Sequence, residues 1–332
     1  MRSLIPQAFC WVYKDSTIVA NRPVLTRSFV QHRMKGTRGG VAIALLIFIY
    51  GLTGSRSYQS DCGRLKDLSV PLPWHVTLFT FERDSTPLPE FSCGGTLIST
   101  TVIITAAHCV WGVQPAQLQL GFGSFDIRYN PEDGQVVYFN ASQIIVHPLY
   151  FDYLGNYGSD IALIEIEGST ELIDSISPIC LEDQVVLARS SSDQALGIVV
   201  SLGRSGNEPQ SEHLKLITIP MISDSKCLER LRSDFWKYLT IATFCAGWAN
   251  GTGVCNGDSG NGLMIPLRQT SDQWNLHGIV NLSPRQLSST TCDLSEYAIF
   301  TKVCIYLEWI RVTLAEIDGN RSKASNKTFS IV

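Results

Sequence analysis

Short runs of alternating hydrophobic and polar residues occupy most of the chain between Trp74 and Leu314. Clusters of Gly, Pro, Asn, Asp and Ser separate these runs, which include HVTLFTF, GGTLIST, TVIITAA, QLQLGF, QIIVH, DIALIEI, GIVVSLG, HGIVNL and AIFTKV. A period of two residues with frequent turn signals is typical of sandwiches and barrels. The pattern therefore predicts an all-β domain built from many short strands.

One late segment has a different period. In CIYLEWIRVTL, which ends at Leu314, the apolar residues recur at helical spacing. This spacing predicts a C-terminal α-helix that packs back on the body. The remaining residues, 315–332, are mostly polar and are expected to form a loose tail.

A short apolar run near the start has the layout of a secretory signal. Basic residues at 35 and 38 precede the apolar run Val41–Leu52, and the small residues TGS follow it. A membrane-spanning helix needs about 20 apolar residues, so this run is short for one. We expect a secreted, extracellular protein without stable membrane association in its mature form. An uncleaved type II anchor and a buried core element are the alternatives.

These patterns divide the chain into five segments. The expected segments are an N-terminal extension absent from the mature protein (1–33), a signal peptide (34–55), a short propeptide or activation region (56–70), the main domain (71–314) and the tail (315–332). A length of 332 residues suits one globular domain of about 200–250 residues with extensions.

Charge and composition exclude several classes of function. The 26 Lys and Arg are scattered among 30 Asp and Glu, giving a formal net charge of −4. Without a basic stripe, no nucleic-acid partner is expected. The sequence also has no P-loop, no G-x-G-x-x-G and no H-E-x-x-H, so no cofactor and no metal are expected.

The cysteines and sequons fit a lumenal route. In an oxidising compartment, ten cysteines at separated positions indicate disulfide bonds. Five N-x-S/T sequons predict a glycoprotein, and they lie at Asn140, Asn250, Asn281, Asn320 and Asn326.

Three loops carry candidate chemistry. His108 follows an apolar strand in TAAHC, Asp160 begins a strand in SDIALIEI, and Ser259 lies between glycines in CNGDSG. A serine hydroxyl becomes a nucleophile when an oriented imidazole takes its proton. The order His, Asp, Ser differs from the α/β-hydrolase and subtilisin orders, and Asn261 breaks the G-x-S-x-G elbow. The remaining histidines of the domain have no such motif and are expected to be structural or exposed, at 75, 147, 213 and 277.

Eight ordered motifs resemble those of the chymotrypsin-like (S1, trypsin-fold) serine endopeptidases. Between Cys62 and Leu314 they are PWHV, CGGTLIS, TAAHC, DIALIEI, PICL, FCAG, CNGDSG and FTKVCIYLEWI. GVCNGDSGNGL and SPICL are also similar to the modular and gastrulation-type proteases of arthropods. The resemblance implies two six-stranded antiparallel β-barrels, with a C-terminal α-helix and the active site between the barrels.

The resemblance also implies a role for each site residue. Ser259 would be the nucleophile, His108 the general base and then acid, and Asp160 the group that orients the imidazole. The backbone N–H groups of Gly257 and Ser259 would form the oxyanion hole. In a zymogen of this family, Asp258 would pair with the α-amino group that an activating cleavage releases.

The resemblance further implies a set of disulfide bonds. The implied pairs are Cys93–Cys109, Cys227–Cys245, Cys255–Cys292 and Cys62–Cys180. Cys10 precedes the signal, and Cys304 is expected to be a buried free thiol.

The specificity pocket implied by the family has no charge. Gly253 stands where an acid would select Arg or Lys, and Ser283 and Ala298 are the wall residues. Because burying an unpaired Arg or Lys costs several kcal/mol, we expect an apolar or uncharged side chain to be preferred. The partners are then protein substrates, serpin-type inhibitors and an upstream activating protease. Asn281 is expected to be buried in a strand and unmodified.

Two departures from the family pattern keep a second class of function open. The sequence shows no Ile-Val-Gly-Gly-like segment, and GNG replaces the usual Gly-Gly-Pro after the serine. The main hypothesis is a secreted serine endopeptidase that acts through an acyl-enzyme in an extracellular cascade. The alternative is an inactive homologue that serves as a binding or cofactor module, or a locked zymogen. An esterase fits less well, because the triad order and the missing elbow oppose it.

Overall fold

The computed structural model describes residues 62–65, 72–81, 88–123, 126–151, 158–181, 195–202, 213–267, 272–287 and 291–329. The described residues belong to one compact unit. The expected N-terminal extension, signal peptide and mature N-terminus lie outside them, as does most of the 56–70 segment.

Twelve strands form two closed barrels in the described part of the chain. The first barrel has the order β1-β2-β3-β6-β5-β4, with β1 His75–Thr80, β2 Glu90–Leu97, β3 Val102–Thr105, β4 Leu118–Phe122, β5 Val137–Val146 and β6 Ala162–Ile166. The second has the order β10-β11-β12-β9-β8-β7, with β7 Leu196–Ser201, β8 Lys215–Ile222, β9 Thr243–Ala246, β10 Gly262–Pro266, β11 Trp274–Leu282 and β12 Ala298–Lys302. Two six-stranded antiparallel barrels confirm the predicted fold class.

The barrel interiors are filled by the apolar residues of these strands. All four residues of β3 are buried, and β6 is buried except at Glu165. Trp74, just before β1, is buried and its indole N–H points to the Met264 sulfur of β10 at 3.2 Å. This contact joins the first barrel to the second, so the loops between the barrels are held on a rigid base.

Two α-helices are described, α1 Asp224–Arg230 and α2 Leu307–Phe329. The second confirms the predicted C-terminal helix, but the expected loose tail from 315 is wrong as far as Phe329. Ile310 and Ile317 lie on one face of α2 and are both buried. One turn later Arg321 donates to Glu165 and to two backbone carbonyls of the first barrel. Packing and hydrogen bonds therefore continue the helix beyond Leu314. Neither described helix is long and apolar enough to span a bilayer.

The four disulfide pairs implied by the family resemblance are all bonded: Cys62–Cys180, Cys93–Cys109, Cys227–Cys245 and Cys255–Cys292. The expectation of a free thiol at Cys304 is wrong, because Cys304 is disulfide-bonded. This side chain is half-buried rather than enclosed in the core.

Candidate active site

Strand β3 and a disulfide place His108. The residues from Val102 to Ala107 are buried, and a single 3₁₀ turn over Ala107–Cys109 then turns the imidazole outward, 21% exposed. Cys109 is bonded to Cys93 of β2, which fixes this turn to the neighbouring strand. The local sequence thus puts a partly exposed imidazole on a rigid support.

The Asp160 side chain orients the imidazole of His108 through hydrogen bonds. This side chain is fully buried, and its two oxygens receive the His108 backbone N–H at 2.8 Å and face His108 Nδ1 at 2.7 Å. Because a carboxylate only accepts hydrogen bonds, Nδ1 carries a proton here and Nε2 is available for proton transfer. Ser159, the preceding residue, has a φ of 55°, a left-handed conformation that is uncommon outside glycine.

Ser259 lies in a glycine turn that packs against the strands leading to His108. Gly257 and Gly260 have φ values of 91° and 80°, which favour glycine. A Cβ atom at Gly260 would overlap the carbonyl of Gly94 and the hydroxyl of Thr105. Gly94 N–H also donates to the Ser259 carbonyl at 2.8 Å.

The three predicted triad residues are connected through these contacts. Gly94 follows Cys93, whose disulfide partner adjoins His108, so one hydrogen bond and one disulfide link the serine turn to the histidine turn. The Asp160 carboxylate contacts His108 directly. Of the three residues, Asp160 is the most buried, with no exposed surface.

Asp258, next to the serine, is also fully buried. Its carboxylate accepts hydrogen bonds from the Ser201 hydroxyl at 2.6 Å, Leu202 N–H at 2.7 Å and Cys255 N–H at 2.8 Å. The sequence did not point to Ser201, although it is the one hydroxyl residue in the apolar run GIVVSL. A polar residue in such a run is the signal that could have found it, because a buried hydroxyl needs a partner.

Asn261 and Asn281 extend the polar network around the site. Asn261 is fully buried, and its side-chain N–H donates to the Val200 carbonyl at 3.0 Å. Asn281 is 3% exposed in β11, as expected, and donates to the Thr301 hydroxyl at 3.1 Å. Thr301 in turn donates to the Asp160 backbone carbonyl at 3.1 Å, which connects the second barrel to the histidine's partner.

The predicted pocket residues lie around the loop before the serine. Gly253 is half-buried, and a Cβ there would contact Leu294 at 3.5 Å. The Ser283 hydroxyl donates to the Val254 carbonyl at 2.9 Å, which joins the end of β11 to this loop. Ala298 is buried at the start of β12. The Cys255–Cys292 bond closes the same region.

The other histidines of the domain contrast with His108. Burial lowers the pKa of His75 to about 3 and, with the nearby Lys302 charge, that of His277 to about 4. Burial also lowers the pKa of His147, whose ring packs against Tyr306 and Trp309. The fourth, at 213, has a side chain 66% exposed on the surface.

One group in the described residues has the composition of a metal site. The sulfurs of Cys93 and Cys109 and one ring nitrogen of His108 lie within 4.8 Å of one another. Both sulfurs are in a disulfide bond, so neither is the thiolate that a metal ion would need. These residues do not fit a metal centre in the oxidised protein.

Two closed six-stranded antiparallel β-barrels with a C-terminal helix define the chymotrypsin-like double-barrel fold. A comparison with known families agrees: the family model described as Trypsin matches residues 67–310. The chain belongs to the trypsin family.

Among its relatives, clotting factor C of Tachypleus tridentatus is 32% identical over 249 residues, which cover 72% of this chain and 24% of that protein. Chymotrypsin-C of Mus musculus is 32% identical over 242 residues, covering 72% of this chain and 83% of the relative. CLIP domain-containing serine protease B8 of Anopheles gambiae is 30% identical over 285 residues, covering 78% of this chain and 67% of the relative. The matched region thus spans about a quarter of the clotting factor.

Proposed function

We propose that the chain is a serine endopeptidase that hydrolyses peptide bonds through an acyl-enzyme. The observation that carries this proposal is the 2.7 Å contact between the buried Asp160 carboxylate and His108 Nδ1. Strand β2 of the same barrel contacts the Ser259 turn, because the Gly94 N–H donates to the Ser259 carbonyl. The contact between Asp160 and His108 fixes the imidazole in the tautomer that a general base needs.

In the proposed reaction, His108 Nε2 takes the proton of the Ser259 hydroxyl as Oγ attacks the peptide carbonyl. The negative charge that forms on the carbonyl oxygen is bound by the N–H groups of Gly257 and Ser259. His108 then gives its proton to the leaving amine, and an ester to Oγ remains. A water molecule repeats the sequence, with His108 as base, and releases the acid. The Asp160 carboxylate stabilises the imidazolium.

Asp258 is the proposed acceptor for an α-amino group released by an activating protease. A cut after Arg64 would need the Cys62–Leu65 segment to detach first. Leu65 is buried, and its N–H donates to the Asp272 carbonyl at 2.8 Å. We therefore expect an activating cleavage, where one occurs, at another bond.

The proposed pocket takes an apolar or uncharged side chain. The hydroxyl of Ser283 and the carbonyl of Val254 satisfy each other, and Gly253 and Ala298 add no charge. A peptide library should show faster cleavage after Leu, Phe or smaller apolar residues than after Arg. Faster cleavage after Arg or Lys would contradict the neutral pocket without affecting the proposed mechanism.

We infer that this endopeptidase is secreted, glycosylated and active in an extracellular cascade. The names of its relatives support this setting, since they include clotting factors and a CLIP-domain protease. Protein substrates, serpin-type inhibitors and an upstream protease are the proposed partners.

A fluorophosphonate probe tests the activity. The purified protein is labelled before and after limited trypsin treatment, beside the Ser259→Ala variant. Labelling of the wild type that the variant loses supports the endopeptidase. If the wild type stays unlabelled in both conditions, the protein is instead an inactive homologue or a locked zymogen.

A further inference from the structure

A buried serine lies at the end of strand β7, next to the serine turn. Ser201 is fully buried, and its hydroxyl donates to Asp258 Oδ2 at 2.6 Å. A carboxylate only accepts hydrogen bonds, so the hydroxyl must be the donor. The distance is in the range of charge-assisted O–H···O⁻ bonds, which are roughly twice as strong as neutral ones.

Two backbone N–H groups also bind this carboxylate. Leu202 donates to Oδ1 at 2.7 Å, while Cys255 donates to Oδ2 at 2.8 Å. Ser201 is the last residue of β7 and Leu202 follows it, whereas Cys255 is in the loop before the serine turn. The carboxylate therefore bridges a barrel strand and the loop that carries Ser259.

The geometry of the turn depends on where this carboxylate lies. Asp258 stands between Gly257, with its φ of 91°, and Ser259. If the side chain rotated away, three buried donors would lose their acceptor, which is costly in a protein interior. The bridge thus limits the backbone angles on both sides of Asp258, and these angles direct the N–H groups of Gly257 and Ser259.

We propose that Ser201 is a positioning residue for the nucleophile turn and acts through Asp258. This inference rests on the proposed function, which makes Ser259 the nucleophile and its turn the oxyanion hole. The three donors carry no charge, so they restrain Asp258 whether or not a charged group also reaches it. The turn is accordingly preformed in the chain before any cleavage.

The test compares the variants Ser201→Ala, Ser201→Thr and Thr313→Val with the wild type. Ser201→Ala removes the hydroxyl, and Ser201→Thr keeps it. Thr313→Val is the matched control, because it removes another buried hydroxyl, which donates to the Trp309 carbonyl in α2 far along the chain. The readouts are the fluorophosphonate labelling rate of the uncut protein, kcat and KM on a peptide ester, and hydrogen exchange of the 254–263 segment.

In Ser201→Ala, the labelling rate and kcat should fall about tenfold or more, with KM changed by less than about twofold. Amide exchange in 254–263 should become faster, while α2 exchanges as in the wild type. Ser201→Thr should recover most of the labelling rate, and Thr313→Val should leave labelling and 254–263 exchange unchanged. Equal labelling and exchange in Ser201→Ala and the wild type would overturn the positioning role.

The exchange measurement separates this inference from the proposed function. If the wild type is not labelled but Ser201→Ala still loosens 254–263, the enzyme hypothesis fails and the restraint by Ser201 stands. If the wild type is labelled and Ser201→Ala is labelled equally fast, the enzyme hypothesis stands and the role of Ser201 is wrong.

Discussion

At the scale of single residues, the orientation of His108 depends on the hydrogen bonds that it makes with the Asp160 side chain. In Asp160→Asn, the amide oxygen can still accept the His108 backbone N–H, but the amide N–H₂ then faces Nδ1. Nδ1 must become an acceptor and Nε2 must carry the proton, which is the wrong tautomer for a base. We expect kcat to fall by about 10³–10⁴-fold with little change in the melting temperature.

Steady-state kinetics and thermal melting of the same preparation check this expectation. Asp126→Asn is the matched control. The Asp126 carboxylate also accepts hydrogen bonds from a neighbouring side chain, that of Arg128, but it lies at the surface. The variant should keep the wild-type kcat. Full activity in Asp160→Asn would show that the contact between Asp160 and His108 has no role in catalysis.

Exposure of single asparagines predicts which sequons are modified. Asn250 is exposed in a turn, where its side chain accepts the Thr252 N–H, whereas Asn281 is 3% exposed within β11. A glycan cannot be attached to an enclosed side chain in a folded barrel. Peptide mass spectrometry after enzymatic deglycosylation should find the Asn→Asp conversion at Asn250 and not at Asn281. Conversion at Asn281 would mean that β11 is glycosylated before it pairs.

At the scale of elements, the Arg321 side chain binds the later part of α2 to the first barrel. Arg321 donates to Glu165 Oε1 at 2.6 Å and to the carbonyls of Gly168 and Ile166 at 2.8 and 2.7 Å. Arg321→Ala should lower the free energy of unfolding by about 1–3 kcal/mol, since it removes three hydrogen bonds from a charged donor, two of them part-buried. Urea unfolding measures the change.

Lys323 provides the control for this variant. It is exposed two residues further along the same helix, so Lys323→Ala should change stability by less than about 0.5 kcal/mol. Equal effects of the two substitutions would mean that the helix end contributes only through its helix propensity.

The sequence predicted strands best where one alternating run made one strand. Each of the nine quoted runs overlaps a strand, but the quoted runs missed β8, β9 and β10. Pro220 interrupts the pattern in β8, and β10 starts directly after the glycine turn of the serine loop. The extension of α2 was missed because it depends on a long-range contact. Arg321 binds Glu165, which lies 156 residues away, and the polar sequence after Leu314 does not indicate this partner. The same limit applies to Ser201, whose role depends on a contact with a distant loop.

At the scale of the whole molecule, acid should destabilise the fold through a buried histidine. His75 is 4% exposed in β1, and burial lowers its pKa from 6.5 to about 3. Between these two values the unfolded chain binds a proton that the folded chain does not. Stability from this site is therefore complete above pH 6.5 and is lost as the pH falls toward 3, at about 1.4 kcal/mol per pH unit.

Replacing His75 by glutamine, which stays neutral, should flatten this pH dependence. Urea unfolding at several pH values between 7.5 and 4.5 would compare wild type, His75→Gln and His213→Gln. The last removes a surface histidine, 66% exposed, and should keep the wild-type slope. If His75→Gln loses stability as steeply as the wild type, other groups cause the acid sensitivity. The pKa of His75 is then the same in the folded and the unfolded chain. A flatter profile in His75→Gln, but not in His213→Gln, would identify proton uptake at His75 as a cause of the loss of stability in acid.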